Sequence, residues 1–348
     1  MSDLAHQDGF ALRLGRIRRA VSPARSSPAS LRRRGWGTRD NGGKGGRPMH
    51  IAVLGMGHMG RAVAGRLLTQ GYDVAVWNRT PGRTAEVVGA GAVEASSPAE
   101  AARGSEAVLM SLTDDRAVLD VMERLTGLGS DAEGPLVVDL STVSPETSRR
   151  LRDMVPGQRF LAAPIIGAPK TVFANLASSL VGGDRRLADR LEPIWSRVFS
   201  VHWYCGEDPG SASAFKLLNN FLLMSGVAAV AEVVAAAEAA ALDMKLLREV
   251  LYQWPTMPPA IVNRVDDIIA GGHKGWFPTR LGAKDVRLLN EVAESNGLTL
   301  PIARLVERRY EEAGERGWRE ADIAAVVEVI RAERRPDPGV TQGAPGRA

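Results

Sequence analysis

Two groups of residues in this chain have the types and spacing to do chemistry. The first is Gly55-Met56-Gly57-His58-Met59-Gly60, a G-x-G-x-x-G turn. Such a turn can cradle a pyrophosphate. The first glycine permits the tight bend, the second lets backbone approach the phosphates, and the third allows close helix–strand packing. The second group is Lys216 and Asn220, in the apolar run SASAFKLLNNFLLMSG. Four residues apart on a helix, an ammonium and an amide share one face. Helix geometry alone is equally satisfied by a lysine that reaches solvent from a helix end.

The glycine turn sits in the context that a dinucleotide site requires. IAVLG reads as a short apolar strand, MGRAVAGRLLTQ as a helix stopping at Gly71, and DVAVWN as the next strand. The helix N-terminus offers free N–H groups to phosphate. An NAD site usually carries Asp or Glu at the end of the second strand. Here Asn78-Arg79-Thr80 stands there. A carboxylate would repel a 2′-phosphate, whereas Arg79 can grip it with a planar fork of donors, with Thr80 and Asn78 adding hydrogen bonds. NADP(H) is therefore the expected cofactor. The other role open to Arg79 is stacking on adenine. His58, in the turn itself, reads as a cofactor-side or solvent-exposed residue.

Stepping along the chain, EAVLMSLTDD reads as strand then loop, and PLVVDLSTVSPETSRRL as strand, loop and capped helix. Ligands of open α/β sheets bind outside the carboxyl ends of the strands. That places Ser111, Leu112, Thr113, Ser141 and Thr142 beside the cofactor, with Ser141 also reaching the substrate. After about residue 212 strand signals nearly vanish. Helices are expected at about 213–241, 244–253, 258–271, 278–296, 300–314 and 319–333. The expected architecture is an α/β Rossmann domain, doubly wound and mostly parallel, over 49–212. An all-α domain follows over 213–333.

Bulk properties fit two soluble domains: 348 residues, 45% hydrophobic and 24% charged. The net charge of +4 is uneven. Residues 1–48 carry 11 basic and 3 acidic side chains; the rest carries 33 and 37. The basic character thus belongs to an Arg-, Ser-, Pro- and Gly-rich tail, expected to be disordered. The folded part has no basic bias pointing to nucleic acid. The tail has no h-region of a secretory signal and resembles a transit peptide only in composition. Met49, just before the first strand, reads equally as the natural start. Residues 334–348 are also expected to be loose. The run FLLMSGVAAVAEVVAAAEAAAL is about long enough to span a bilayer, but Glu232, Glu238 and its alanines favour a buried domain helix. One cysteine, Cys205, forms no internal disulfide and fits a reducing compartment. No spaced His or Cys set suggests a metal site.

Four motifs in order, GMGHMG, VVDLSTVSPET, GSASAFKLLNN and LGAKDVRLL, resemble those of the β-hydroxyacid dehydrogenase family over roughly residues 49–333. The resemblance implies an oxidoreductase that moves hydride between a nicotinamide and a carbonyl or hydroxy substrate. It makes Lys216 the acid/base, with Asn220 orienting the lysine or the substrate oxygen. It sets Thr142 beside the nicotinamide and Lys284 near cofactor and substrate, with Asp285 structural and pairing with a neighbouring base. It also implies a homodimer or dimer of dimers; the expected location is cytoplasmic. The substrate loop departs from the family. Where the family reads approximately A-P-V-S-G-G, this chain has APIIGA, with Ile166 for serine, Gly167 kept and Ala168 for the second glycine. A lost hydroxyl and added apolar bulk favour a larger, less polar substrate than a small hydroxyacid. They also raise imine reduction, although imine reductases typically lack the lysine. Trp254, Met257, Trp276 and Phe277 read equally as cleft lining or packing. The non-enzymatic alternative is a cofactor-binding scaffold.

Overall fold

Strand β1 (His50–Leu54) is buried on both faces from Ile51 to Leu54. That is the signature of a central parallel strand covered by helices on both sides. A computed structural model describes residues 49–125 and 134–333; the expectations for 1–48 and 334–348 fall outside them. Around β1 the chain lays down α1 (His58–Thr69), β2 (Asp73–Trp77), α2 (Ala85–Gly89), β3 (Val93–Glu94), α3 (Pro98–Ala102), β4 (Ala107–Met110) and α4 (Asp115–Glu123). It continues through β5 (Leu136–Asp139), α5 (Pro145–Met154), β6 (Phe160–Ala162), β7 (Ile165–Ile166), α6 (Pro169–Phe173), β8 (Ser178–Gly183), α7 (Arg185–Val198) and β9 (Val201–Tyr204).

The strand order is β3-β2-β1-β4-β5-β6-β8-β7, with β9 beside β8. The ladders from β3 to β6 are parallel; β8 runs antiparallel to β6 and β7. The sequence order reverses at β1, between β2 and β4, which opens a crevice at the carboxyl ends of those strands. Register sets Leu54 between Trp77 and Met110. Alternate residues feed two cores. Ile51 and Val53 pack with Leu67 of α1 and with Trp195 and Phe199, whose ring centroids lie 4.8 Å apart. Ala52 and Leu54 pack with Val118, Val121 and Leu151 on the opposite face.

The second half is helical: α8 (Pro209–Ala239), α9 (Met244–Gln253), α10 (Pro259–Val262), α11 (Val265–Ala270), α12 (Thr279–Ser295), α13 (Pro301–Ala313) and α14 (Val326–Ala332). Helix α8 runs for 31 residues, roughly 46 Å. It begins at Pro209, ahead of the expected 213, because Asp208 caps it by accepting from the Gly210 N–H at 3.0 Å and proline suits the first helical position. By length and composition α8 could cross a membrane. Its residues Met224, Val227, Val230, Ala231 and Val234 instead pack with Val286, Val306, Tyr310 and Ile323.

Two expected helices differ. The segment 258–271 is broken into α10 and α11 around Asn263 and Arg264, where Arg264 turns inward to Asp322. The segment 319–333 begins as a turn. Asp322 caps a single 3₁₀ turn, Ile323–Ala325, before α14.

Candidate active site

The glycine turn at the end of β1 is built as its spacing requires. Gly55 has φ +97°, and a Cβ there would lie 2.2 Å from the Ser111 carbonyl oxygen. A Cβ on Gly60 would lie 1.9 Å from the Gly55 oxygen, so α1 packs directly on the turn. A Cβ on Gly57 would meet nothing within 4 Å. The space before Gly57 is thus open, and no side chain caps the N-terminus of α1 behind it. Free N–H groups facing open space form a cradle suited to a pyrophosphate.

Asn78 holds this turn in shape. Its Oδ1 accepts from the Met56 N–H at 2.8 Å, and its Nδ2 donates to the Thr80 carbonyl at 2.9 Å. Its amide therefore braces backbone, a different use from the direct phosphate contact expected of it. Arg79 and Thr80 are exposed at the rim of the cradle, as is Arg83, which the sequence reading missed. His58 is exposed beside Arg61, 3.4 Å from ring Nδ1 to guanidinium. Partial burial and the charges of Arg61 and Arg83 push its pKa down.

The ends of β4 and β5 are tied together beneath the cradle. The Leu112 N–H donates to Ser141 Oγ at 2.9 Å, and the Ser141 N–H donates to Asp139 Oδ1 at 3.1 Å. Asp139 is 1% exposed. Burial raises its carboxyl to about pKa 6, against the pull of the Ser141 hydrogen bonds. Ser141 lines the cavity, yet its hydroxyl already serves the neighbouring strand.

Four side chains from two helices converge opposite. Lys216 and Asn220 come from α8, Lys284 and Asp285 from α12. Lys216 is 8% exposed, which removes the solvent-reaching alternative. Burial lowers its pKa to about 8; Asp285 opposes the shift and Lys284 adds to it. Asn220 Nδ2 donates to Asp285 Oδ2 at 2.6 Å. Asp285 Oδ1 lies 2.9 Å from Lys284 Nζ, an ion pair set off the hydrogen-bonding direction. The Lys284 ammonium also donates to the Thr142 carbonyl, joining the helical half to the end of β5. Asp285 is therefore the centre of the cluster, bracing both Asn220 and Lys284.

The loop after β7 completes the near wall. Gly167 has φ +150°, and a Cβ there would fall 2.7 Å from Thr171 Oγ1. The Ala168 N–H donates to Thr171 Oγ1 at 2.8 Å, and that hydroxyl donates back to the Ala168 carbonyl. One amide that could face a substrate is thus engaged within the loop. All these pieces border a single cavity of about 1310 Å³. It is larger than a typical small-molecule pocket and has room for a dinucleotide with a substrate. Every residue expected at the site lines it except Gly60, which supports the turn from behind. Trp254, Met257, Trp276 and Phe277 also line it; the last two stack at 5.7 Å.

The profile of the NAD binding domain of 6-phosphogluconate dehydrogenase matches residues 50–206. That of the NAD-binding domain of NADP-dependent 3-hydroxyisobutyrate dehydrogenase matches 210–330. Glyoxylate/succinic semialdehyde reductase 2, chloroplastic, of Arabidopsis thaliana is 31% identical over 289 residues, covering 82% of this chain and 80% of the relative. Among solved structures, 3-hydroxyisobutyrate dehydrogenase from Salmonella typhimurium superposes with TM-score 0.75 at 21% identity, covering 81% of this chain and 99% of the other. An imine reductase of Streptomyces aurantiacus gives 0.55 at 25% identity, covering 81% and 99%. The chain belongs to the β-hydroxyacid dehydrogenase family of NAD(P)-binding oxidoreductases.

Proposed function

We propose that this protein is an NADP(H)-dependent reductase of a carbonyl compound, with Lys216 as the acid/base. One observation carries the reading: a buried lysine with its pKa lowered to about 8 borders the same cavity as the open phosphate cradle. NADPH, when bound, supplies the hydride. Lys216 gives its proton to the carbonyl oxygen, so that C=O becomes CH–OH, and the neutral amine regains a proton from water. A group titrating near 8 is mostly charged at neutral pH yet gives up its proton readily, as a general acid must. Asp285 favours the charged form and fixes Asn220, which presents its remaining amide capacity to the lysine or the substrate oxygen. The 2′-phosphate falls to Arg79, Thr80 and Arg83, with no carboxylate at the strand end to repel it. The exposed side chains Phe215, Leu218 and Leu222, spaced along one face of α8, support assembly as a homodimer or dimer of dimers.

Reduction of a C=N bond is the second reading. Ile166 and the engaged Ala168 amide favour it, because they leave the near wall poor in donors for a small carboxylate. An iminium ion arrives protonated and needs no acid at the reacting nitrogen. Lys216→Met separates the two. Carbonyl reduction should fall by roughly 10²–10⁴-fold, the scale of general acid catalysis, with NADPH binding retained. The wild-type reductive rate should also decline as pH rises through about 8. Near-normal turnover of cyclic imines by the variant, with no carbonyl turnover by the wild type, would reverse the assignment. NADPH binding without turnover across aldehydes, keto acids and imines would favour a scaffold.

A further inference from the structure

The helical wall of the cavity holds an accessible guanidinium that the proposed chemistry leaves unused. Arg280 lies on α12 four residues before Lys284, so the two side chains share one face of that helix, and both border the cavity that Lys216 borders. Its foot is fixed. The Thr279 and Arg280 N–H groups donate to the Ala321 and Arg319 carbonyls at 2.7 and 3.2 Å, tying the first turn of α12 to the segment before α14. Glu320, carried on that segment, accepts from Arg280 Nε at 2.7 Å. Nη1 and Nη2 make no hydrogen bond to any described residue, and neither is sealed from solvent. The Arg280 side chain is 29% exposed, so a ligand can reach it, and Glu320 is 67% exposed. An ion pair this open to water is weak and leaves the guanidinium attractive to a second anion. The Nη1–Nη2 edge is a planar fork matched to the two oxygens of a carboxylate.

The position suits the acid group of a substrate whose carbonyl is held at Lys216. The Lys284 charge is close enough to Lys216 to lower its pKa. Arg280 stands one helical turn from Lys284, with about 6 Å between their Cβ atoms. A short chain therefore spans from Lys216 to the fork. Trp276 and Phe277, stacked 5.7 Å apart just ahead of α12, give that chain an apolar wall. The loop after β7 offers no rival site. Ile166 brings no donor there, and the Ala168 amide is engaged by Thr171.

We infer that Arg280 is a specificity-determining residue that binds the carboxylate of an oxo-acid substrate, so that the acid group is recognised from α12 and not from the loop after β7. Glu320 takes the Nε side of the guanidinium and aims the fork without occupying it. The inference rests on the carbonyl-reductase reading of the same cavity.

The test uses three aldehydes of equal length ending in a carboxylate, a primary amide or a methyl group, over a range of chain lengths. kcat/KM is measured at saturating NADPH for the wild type, Arg280→Met and Arg280→Lys, and NADPH affinity is measured separately by fluorescence without substrate. The wild type should prefer the acid to the methyl compound by roughly tenfold or more at its best length, mainly through KM, the scale of one charge-assisted hydrogen bond. The acid-to-methyl ratio should fall to about one in Arg280→Met and be intermediate in Arg280→Lys, which keeps the charge but loses the fork. NADPH affinity should be the same in all three proteins. Each ratio is taken within one preparation, so partial misfolding cancels. An acid preference unchanged in Arg280→Met, with NADPH bound more weakly, would give the guanidinium to the dinucleotide and overturn the inference. If both are unchanged, Arg280 is a rim ion pair and the inference falls too. Turnover by the wild type with no acid preference at any length sinks the inference alone. No turnover of any aldehyde would sink the carbonyl-reductase reading, and this inference with it.

Discussion

Replacing Lys216 by methionine should make the fold more stable while removing its chemistry. The unperturbed lysine pKa is 10.5, and burial lowers it to about 8 in the folded protein. Below about pH 8 the lysine is protonated in both the folded and unfolded states. Folding then carries the whole cost of burying the charge, about 3 kcal/mol. Between about 8 and 10.5 the unfolded chain holds the proton that the folded one has released. The unfolded state binds more protons there, so stability rises with pH and the cost fades. Methionine keeps much of the side-chain volume and carries no charge. Urea denaturation without NADPH, at pH 7 and pH 10, reads the effect. The variant should be the more stable at pH 7, by up to about 3 kcal/mol, and the gap should shrink to under about 1 kcal/mol at pH 10. Taking the difference between the two proteins removes the titration of every other group. A variant less stable at pH 7, or a gap indifferent to pH, would refute the reasoning.

Three further outcomes are expected. Arg79→Ala should weaken NADPH by roughly 10–100-fold, the worth of hydrogen bonds to a charged group, with NADH little affected; equal losses would reject the phosphate grip. Gly57→Ala and Gly60→Ala should differ in kind. The first adds a methyl group to open space and should lower cofactor affinity without changing the melting temperature; the second presses on the Gly55 carbonyl and should destabilise by about 1–3 kcal/mol or more. Matching stability losses would contradict the geometry of the turn. Leu222, 71% exposed on α8, should lie in the subunit contact, so Leu222→Glu should convert a dimer or tetramer to monomers in light scattering. A monomeric wild type at micromolar concentration would refute the assembly.

The part of the site set by local constraints was legible in the sequence. Glycine positions are dictated within one βαβ unit, so the cradle could be placed from spacing alone. Lys216, Asn220 and Lys284 were found through motifs, and the missing serine at Ile166 was visible by its absence. Contacts between distant segments were not legible. Asp285 was legible as a structural acid, and it pairs with the adjacent Lys284, but its hydrogen bond to Asn220, 65 residues away, was not. Arg264 looked like one charged residue in a continuous helix; only Asp322, 58 residues on, turns it inward and breaks that helix. Nothing in VVDLS announces that the Asp139 carboxyl is sealed from water. Arg83 carried a readable signal, a second basic residue just past Arg79, that was overlooked.

Helix α8 begins inside one half of the molecule and ends inside the other. Its first turns are fastened to the nucleotide-binding half by the Arg149–Asp208 ion pair at 2.8 Å and by the Ser148–Ser213 hydroxyl pair at 2.7 Å. A Cβ on Gly210 would collide with the Pro145 carbonyl at 2.9 Å. Lys216 follows shortly after these fastenings, while Ile261 packs on the helix further along, at Gly226. Lys216, the proposed proton donor, is therefore registered to the cradle, while Trp254, Met257 and Trp276 of the cavity wall belong to the other half. Sequence drift beyond Gly226 can reshape what enters the cleft without moving the lysine relative to the cradle. A laboratory seeking new substrates would randomise Trp254, Met257 and Trp276 and leave Pro209 to Asn220 untouched. In such a fold the reaction can be inherited while its substrates diverge.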